Sequence, residues 1–318
     1  MIRISAGTAA SVELNNNRMD AYPTTAYLLL GSQCRMRCSF CPQGAETNEA
    51  RGRLGRITWP EFSWSELETG LSKAGEKGIR RICLQSVRHA EGTAPLLSAV
   101  TRLKAVSDLP LSLSAWIGDE EEAGALIAAG VERISISLDV VNPAAFKKIK
   151  GGSLQERLDL LLACARSLPG RISTHIICGL GETEAEALSM IDLLNRAKVT
   201  VALFAFVPLK GTPLEKLTPP EVGSYRRIQA GYYLLRQNAV DFASFQFEKG
   251  RLVSYGLTAD RMEQILSAGA AFQTSGCPHC NRPYYNERPG GIIYNYPRPL
   301  TVEESSRAVK ELIASIKG

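Results

Sequence analysis

The chain has 318 residues, 45% of them hydrophobic and 22% charged, with a formal net charge of +5. That composition excludes a disordered chain and suffices for one large domain with a real core. Its basic residues are dispersed, and groupings such as Lys73, Lys77, Arg80 and Arg81 read as solvated faces; no nucleic-acid partner is expected, while an acidic carrier protein is allowed.

No stretch approaches the roughly 20 apolar residues of a membrane helix, and Met1-Ile2-Arg3-Ile4 begins no signal-peptide pattern. A cytoplasmic location without membrane contact is the expectation. In that setting the eight cysteines are metal ligands or small buried hydrophobes rather than disulfides.

Residues 1–24 are polar, with Asn15, Asn16, Asn17 and Pro23, and read as an N-terminal arm. From residue 25 apolar, β-branched runs alternate with segments of helical period. Strands are expected at about 25–30, 80–85, 110–116, 132–138, 171–178 and 200–207, and helices at about 63–77, 93–106, 119–129, 153–168, 183–197 and 219–238. Asp119 with Glu120, Glu121 and Glu122 suits the positive end of a helix dipole. Gly130 suits a left-handed C-cap, and Ser153 with Glu156 forms a capping-box pattern. Six βα units with right-handed crossovers predict an α/β fold, a partial TIM-type (β/α)6 barrel over residues 25–240.

The period then breaks. Residues 241–318 read as a cysteine-containing C-terminal extension, with a strand candidate in 240–252, helices at 258–270 and 301–316, and an irregular stretch at 276–299.

Cys34, Cys38 and Cys41 sit at spacings of four and three on the loop after the first strand. Three thiolates can ligate three irons of a cubane and leave the fourth iron open to a small molecule. Zinc prefers four tetrahedral ligands, commonly from paired Cys-x-x-Cys units, and this loop alone does not supply them. Arg35 and Arg37 between the thiols argue against burial as hydrophobes. A second half-site is Cys277-Pro278-His279-Cys280; it could join a cluster, bind zinc with His279 or His89, or act as a redox pair. Cys164 reads as helix packing. Cys178 is expected to face outward, and no role is assigned to it.

The Cys-x3-Cys-x2-Cys loop, with Phe40 before its last cysteine, resembles that of the radical S-adenosylmethionine superfamily, over about residues 25–210. The resemblance implies that the open iron binds the amino and carboxyl groups of S-adenosylmethionine, whose reductive cleavage gives a 5′-deoxyadenosyl radical. It places Phe40, Gln85, Ser137 and Asp139 near that cofactor. Gln155-Glu156-Arg157 resembles a biotin synthase segment whose Arg meets the cofactor carboxylate. His175 to Thr183, including Ile177, Gly179 and Glu182, resembles the fifth-strand element around adenine, and Phe206 to Leu214 the sixth-strand exit near the same base.

Cys83 falls where biotin synthase has a ligand to its sulfur-donating cluster. With Cys277 and Cys280 it is then expected to hold an auxiliary 4Fe–4S cluster, facing the first across the barrel mouth. The chain departs from biotin synthase in carrying Ser112 or Ser114 and Ser173 where that family has further cysteines. It also lacks the N-terminal three-cysteine motif and terminal Arg-Ser-Ser-Tyr of single-chain lipoyl synthase.

The tail from Cys277 to Gly291 resembles the two-protein lipoyl synthase of archaea and some bacteria. That implies sulfur insertion into octanoyl-lysine on the glycine cleavage H protein or a dehydrogenase lipoyl domain, with a second radical enzyme as partner and ferredoxin or flavodoxin as electron donor. The alternatives are a biotin synthase-like reaction on a free small molecule, or a non-catalytic iron–sulfur or zinc module.

Overall fold

The computed structural model describes residues 1–45, 47, 52–287 and 290–317. Arg288 and Pro289, part of the tail motif, lie outside the described residues.

In chain order the first elements are β1 (Ile2–Ile4), α1 (Ala6–Ser11), β2 (Thr25–Leu30), the short β3 (Arg53–Leu54), β4 (Ile57–Thr58) and β5 (Glu61–Phe62), and α2 (Trp64–Ser72). The βα units continue with β6 (Arg81–Ser86), α3 (Ala94–Val106), β7 (Leu111–Ser114), α4 (Glu120–Ala128), β8 (Arg133–Ser135), α5 (Pro143–Ile149), α6 (Leu154–Ser167), β9 (Ile172–Cys178), α7 (Glu184–Arg196), β10 (Thr200–Ala205) and α8 (Val222–Arg236). The extension holds β11 (Gln246–Glu248), β12 (Arg251–Ser254), α9 (Ala259–Leu266) and α10 (Val302–Lys317).

One sheet runs in the order β10-β9-β8-β7-β6-β2-β1-β5. Its six strands from β2 to β10 are parallel, and the sheet stays open between β10 and β5, so the fold is a partial TIM-type barrel. Every residue of β2 is buried, as expected for a parallel strand with helices on one side and the barrel interior on the other. Leu67 and Leu71 of α2, Val100 and Leu103 of α3, and Leu188 and Ile191 of α7 are at most 1% exposed and form the layer outside the sheet.

Chain-local signals set most boundaries. Ser63 with Glu66 and Thr183 with Glu186 form complete capping boxes on α2 and α7, satisfying backbone donors that a helix leaves free. Gly130 takes φ +107° after α4, and Asp119 caps that helix by accepting from the Glu122 N–H. At α6 only half of the expected box forms: the Ser153 hydroxyl accepts from the Glu156 N–H at 3.3 Å.

Three features differ from the sequence expectation. Residues 1–24 are not merely an arm, because β1 pairs antiparallel with β2, Arg3 opposite Leu29 and Ile4 opposite Leu28. Its three residues are too few to show a period. Second, α5 stands between β8 and α6, opened by Asn142, which accepts from the Ala145 N–H, and Pro143 at the first turn. Third, the strand candidate near 240–252 is a hairpin of β11 and β12.

A buried ion pair joins α7 to α8, and the extension attaches to it through backbone groups, Arg227 Nη1 donating to Ser315 O at 2.8 Å. Arg227 of α8 grips Glu184 of α7 through Nε at 2.8 Å and Nη2 at 2.6 Å, and the Leu252 N–H of β12 donates to the same carboxylate at 2.8 Å. With both charges desolvated, geometry this complete is what keeps the pair from being a net cost.

Candidate active site

The loop after β2 carries Cys34, Cys38 and Cys41, all half-buried. Backbone bonds shape it: Cys34 N–H to Gln43 O at 3.1 Å, Cys41 N–H to Cys38 O at 3.0 Å, and Ser39 N–H to Ile149 O at 2.9 Å. Two backbone N–H groups already point at the Cys34 sulfur, from Met36 at 3.4 Å and Arg88 at 3.3 Å. Burial pushes the Cys38 thiol up to about 11, with Lys150 opposing the shift and Asp139 and Cys34 adding to it. Burial and the neighbouring Cys38 push Cys41 up to about 12. Thiols so placed do not ionise alone at neutral pH, whereas a bound metal deprotonates them outright.

These thiols open onto a cavity of about 280 Å³ that occupies the barrel interior. Period-2 alternation decides its wall: Thr25, Tyr27 and Leu29 of β2, Arg81, Cys83 and Gln85 of β6, and Ser173, His175 and Ile177 of β9 all line it. Phe40, Ser137, Asp139 and Arg157 line it too. Gly179 and Glu182 are not in that wall. Glu182 instead accepts the N–H groups of Gly179 at 2.6 Å and Leu180 at 2.9 Å, holding the turn after β9.

Arg157 is 7% exposed, gives Nη1 to Ile117 O at 2.6 Å, and stacks on Trp116 at 4.3 Å. Burial lowers it to about 10. Its Nε is buried without a hydrogen-bond partner, an unspent donor beside the cavity of the kind a ligand carboxylate would satisfy. Arg88 also stacks on Trp116, at 4.5 Å.

Asp139 sits at φ +61° in the left-handed region and is fixed by Lys150, whose ammonium reaches Asp139 Oδ2 at 2.7 Å, Ser137 O at 2.8 Å and Leu138 O at 3.0 Å. Those contacts engage all three ammonium donors. Lys150 ends α5 and has no motif around it, so sequence reading missed it. His175 lies between the Ser137 hydroxyl at 3.1 Å and the Ser135 hydroxyl at 3.3 Å. Burial lowers it to about 4, so the middle of the cavity carries a neutral imidazole. Its place on the same strand face as Ser173 and Ile177 was a readable signal.

The second set of thiols also meets. Cys83, Cys277 and Cys280 line the same cavity, and burial raises Cys83 strongly, reinforced by Cys280 and then Cys277. Cys277 is raised by burial and by Cys280, with a hydrogen bond to Ser112 opposing. The set is not across the mouth, however. The tail carrying it binds the N-terminal ends of the strands: the hydroxyls of Thr24 and Thr25 each donate to His279 O at 2.7 Å, and Arg81 Nε to Pro278 O at 3.0 Å. The two thiol sets therefore face each other along the barrel axis.

Tyr285 stands between them. Burial raises its phenol, with Cys41 and Cys83 among the causes, and its ring meets Phe204 edge-on at 5.6 Å. Cys164, 0% exposed, and Cys178, 1% exposed, belong to the layer outside the sheet and face away from the cavity.

Among the described residues no three His, Cys, Asp or Glu side chains converge on a single point. A cubane does not require that, since each thiolate takes its own iron. Three thiols on one loop, backbone N–H groups aimed at Cys34 and an orphaned Arg157 Nε fit such a cluster with a carboxylate-bearing ligand on its open iron.

A parallel partial barrel with three thiols on the loop after its first parallel strand defines an enzyme class that couples an iron–sulfur cluster to a chelated cofactor. The chain matches the Radical SAM superfamily over residues 28–194, more than half its length, and belongs to that superfamily. It is 24% identical over 266 residues to the biotin synthase of Acaryochloris marina, covering 76% of this chain and 75% of that protein. It is 27% identical over 196 residues to the biotin synthase of a Synechococcus species, covering 59% and 61%.

Among solved structures the fold is similar to methylornithine synthase, PylB, with TM-score 0.52, 16% identity and coverage of 73% and 66%. It is also similar to HydG, a maturase of the FeFe-hydrogenase, with TM-score 0.54, 11% identity and coverage of 67% and 50%. The protein is thus a radical SAM enzyme related to biotin synthase, and membership implies S-adenosylmethionine and one 4Fe–4S cluster. Among the described residues no helix is long and apolar enough to cross a membrane.

Proposed function

We propose that this enzyme inserts sulfur into an aliphatic carbon of a protein-bound octanoyl chain, as one component of a two-protein lipoyl synthase. The observation that carries the reading is the placement of Cys34, Cys38 and Cys41 at one end of a cavity and Cys83, Cys277 and Cys280 at the other. Cys34, Cys38 and Cys41 hold the cluster that carries S-adenosylmethionine; Cys83, Cys277 and Cys280 hold a second 4Fe–4S cluster that serves as sulfur source. Bound at the open iron, S-adenosylmethionine supplies a 5′-deoxyadenosyl radical on reduction.

The protein's own residues then do the positioning. Arg157 offers Nε to the cofactor carboxylate, and Asp139, locked by Lys150, together with Ser137 forms the polar rim. Leu29, Leu113, Ile177, Ala202 and Phe204 give the space between the thiol sets an apolar wall, which suits an alkyl chain and keeps solvent out of the reacting space. Neutral His175 adds no charge there.

A second cavity of about 470 Å³ adjoins the first at Val87, Arg88, Ala115 and Trp116 and is also lined by Arg35 and His89. It suits the approach of a tethered acyl-lysine arm from an acidic carrier. The carrier is the glycine cleavage H protein or a dehydrogenase lipoyl domain, the electron donor a ferredoxin or flavodoxin, and the setting cytoplasmic.

A biotin synthase-like reaction on a free small molecule is the second reading, favoured by relatives of that name that align over up to 76% of the chain. One experiment separates them. Reconstituted enzyme with reductant and cofactor is given an octanoylated lipoyl-domain peptide or the desthio precursor of biotin, with and without the second radical enzyme, and products are weighed by mass spectrometry. Sulfur on the peptide supports the first reading. Sulfur on the free precursor alone overturns it.

A further inference from the structure

Adjacent tyrosines in the tail point opposite ways. Tyr284 reaches outward, its hydroxyl donating to the Asp20 carboxylate at 3.4 Å, while Tyr285 lines the cavity that the two thiol sets share. Tyr284 takes φ +57°, in the left-handed region. A bulky residue adopts that conformation only where its surroundings hold it, and such outliers gather at functional sites.

The Tyr285 ring is wedged between the β3–β4 turn and β10. On one flank the Tyr285 carbonyl accepts the Arg56 N–H at 2.9 Å. Gly55 of that turn, at φ +62°, lies so close that a Cβ there would come within 2.7 Å of the ring. On the other flank Asn286 Nδ2 donates to Ala205 O at 2.8 Å, and the ring meets Phe204 edge-on at 5.6 Å. Phe204 in turn meets His175 edge-on at 5.1 Å. Ala202, Phe204 and Phe206 line the cavity at alternate positions, from the deep end toward the mouth. Tyr285, Phe204 and His175 therefore form a collar of rings at mid-depth.

We propose that Tyr285 is a specificity-determining residue: its ring is the stop against which the end of the alkyl chain rests, and it fixes which carbon lies beside the 5′-deoxyadenosyl radical. The inference rests on the octanoyl reading above. The hydrogen atom that leaves the chain, proton and electron together, passes to the 5′ carbon and completes its methyl group, and one unpaired electron stays on the donor carbon. Such a transfer needs the reacting atoms about 3–3.5 Å apart, and a misplacement of about 1 Å costs about a hundredfold. An alkyl chain carries no polar group to set that register, so a wall must set it. A ring packed between Gly55 and Phe204 has no room to yield.

The test uses the full chain, reconstituted with iron and sulfide. Octanoyl-lysine peptides, each deuterated at a single carbon, are supplied with S-adenosylmethionine and reductant, and deuterium in 5′-deoxyadenosine is read by mass spectrometry. The unaltered chain should prefer one carbon over its neighbours by at least about tenfold, the discrimination a single methylene supports. Tyr285→Ala should spread the deuterium over neighbouring carbons and lose that preference, and Tyr285→Leu should lose part of it. Tyr285→Phe keeps the ring and should keep the preference. Gly55→Ala crowds the ring without altering it and should lower the preference too.

A second readout needs no turnover. Without reductant, the unaltered chain should bind a decanoyl peptide at least about tenfold more weakly than the octanoyl one, and Tyr285→Ala should narrow that gap by binding decanoyl more tightly. Iron content and thermal unfolding show which variants are loaded and folded. An unchanged carbon preference and an unchanged chain-length gap in folded Tyr285→Ala overturn the proposal. So does a loss of preference in Tyr285→Phe equal to that in Tyr285→Ala, which would assign the effect to the hydroxyl. No transfer from any peptide to the unaltered chain, with or without the second radical enzyme, overturns the octanoyl reading itself, before Tyr285 is changed.

Discussion

The two thiol sets achieve the same thing, three cysteines on one cavity, by opposite routes. Cys34, Cys38 and Cys41 share one eight-residue loop that neighbouring backbone groups fold onto itself. Cys83 lies on a barrel strand, and Cys277 and Cys280 arrive from a tail that returns to plug the N-terminal ends of β2 and β6. The mouth set is thus local, and its loop leaves a way in for a cofactor. The deep set depends on the barrel and the tail being docked, and it is walled by Tyr27, Arg282 and Tyr285. On the proposed function the labour would divide accordingly: the end open to the mouth would start chemistry, and the enclosed end would decide the product.

The sharpest way to break this division is to remove one set at a time. Cys34→Ala, Cys38→Ala or Cys41→Ala is expected to abolish 5′-deoxyadenosine formation and to remove about four of about eight irons per chain, measured by iron assay and chromatography. Loss of all iron would mean the two ends are not independent. Conversely, Cys83→Ala or Cys277→Ala should still release 5′-deoxyadenosine yet add no sulfur to product. If cofactor cleavage disappears as well, the deep set is not a separate centre.

Next in size is docking of the extension. Arg227→Met leaves the Glu184 carboxylate buried without its main partner, a change that costs about 3–5 kcal/mol. Chemical denaturation should report that loss, with iron at the deep set suffering before iron at the mouth. Equal loss at both would show that the whole barrel, rather than the tail's attachment, depends on the pair.

Binding of the cofactor at the mouth offers a finer test. Arg157→Met removes a charge-assisted hydrogen bond worth about 1.5–3 kcal/mol, and S-adenosylmethionine should bind about ten- to a hundredfold more weakly by equilibrium dialysis, with iron unchanged. An unaltered affinity would remove Arg157 from the site.

The last test concerns the neutral imidazole between the sets. His175, lowered to about 4 by burial, binds a proton in the unfolded chain below about pH 6.5 but in the folded chain only below about 4. The unfolded state therefore holds more protons within that window. Stability from this group is complete above about 6.5, declines by up to about 3 kcal/mol as pH falls toward 4, and changes no further below. His175→Asn should flatten the curve of unfolding free energy against pH in that window; an unchanged slope would place the acid sensitivity elsewhere.

Much of this was legible in the chain. The βα rhythm, the caps at Ser63, Asp119 and Thr183, and the spacing of Cys34, Cys38 and Cys41 are properties of a few consecutive residues, and local hydrogen bonding or period expresses them directly. Strand alternation likewise announces that Ser173, His175 and Ile177 share one face. Tertiary structure decided the rest. Lys150 reaches Asp139 only because the end of α5 comes back to the segment after β8, and β1 is a strand only because β2 and β5 flank it. Glu182 caps its own turn and stays out of the cavity, a competition between backbone donors and ligand that spacing does not reveal.

The same holds for the cysteines. Sequence determined that Cys34, Cys38 and Cys41 stand together, because a short loop permits little else. The resemblance anticipated that Cys83 joins Cys277 and Cys280, but that they meet at the far end of the barrel, under the guanidinium of Arg282, was decided by the fold: closing so long a loop is paid for by contacts spread over α8, β12 and the strand ends, which no local pattern records.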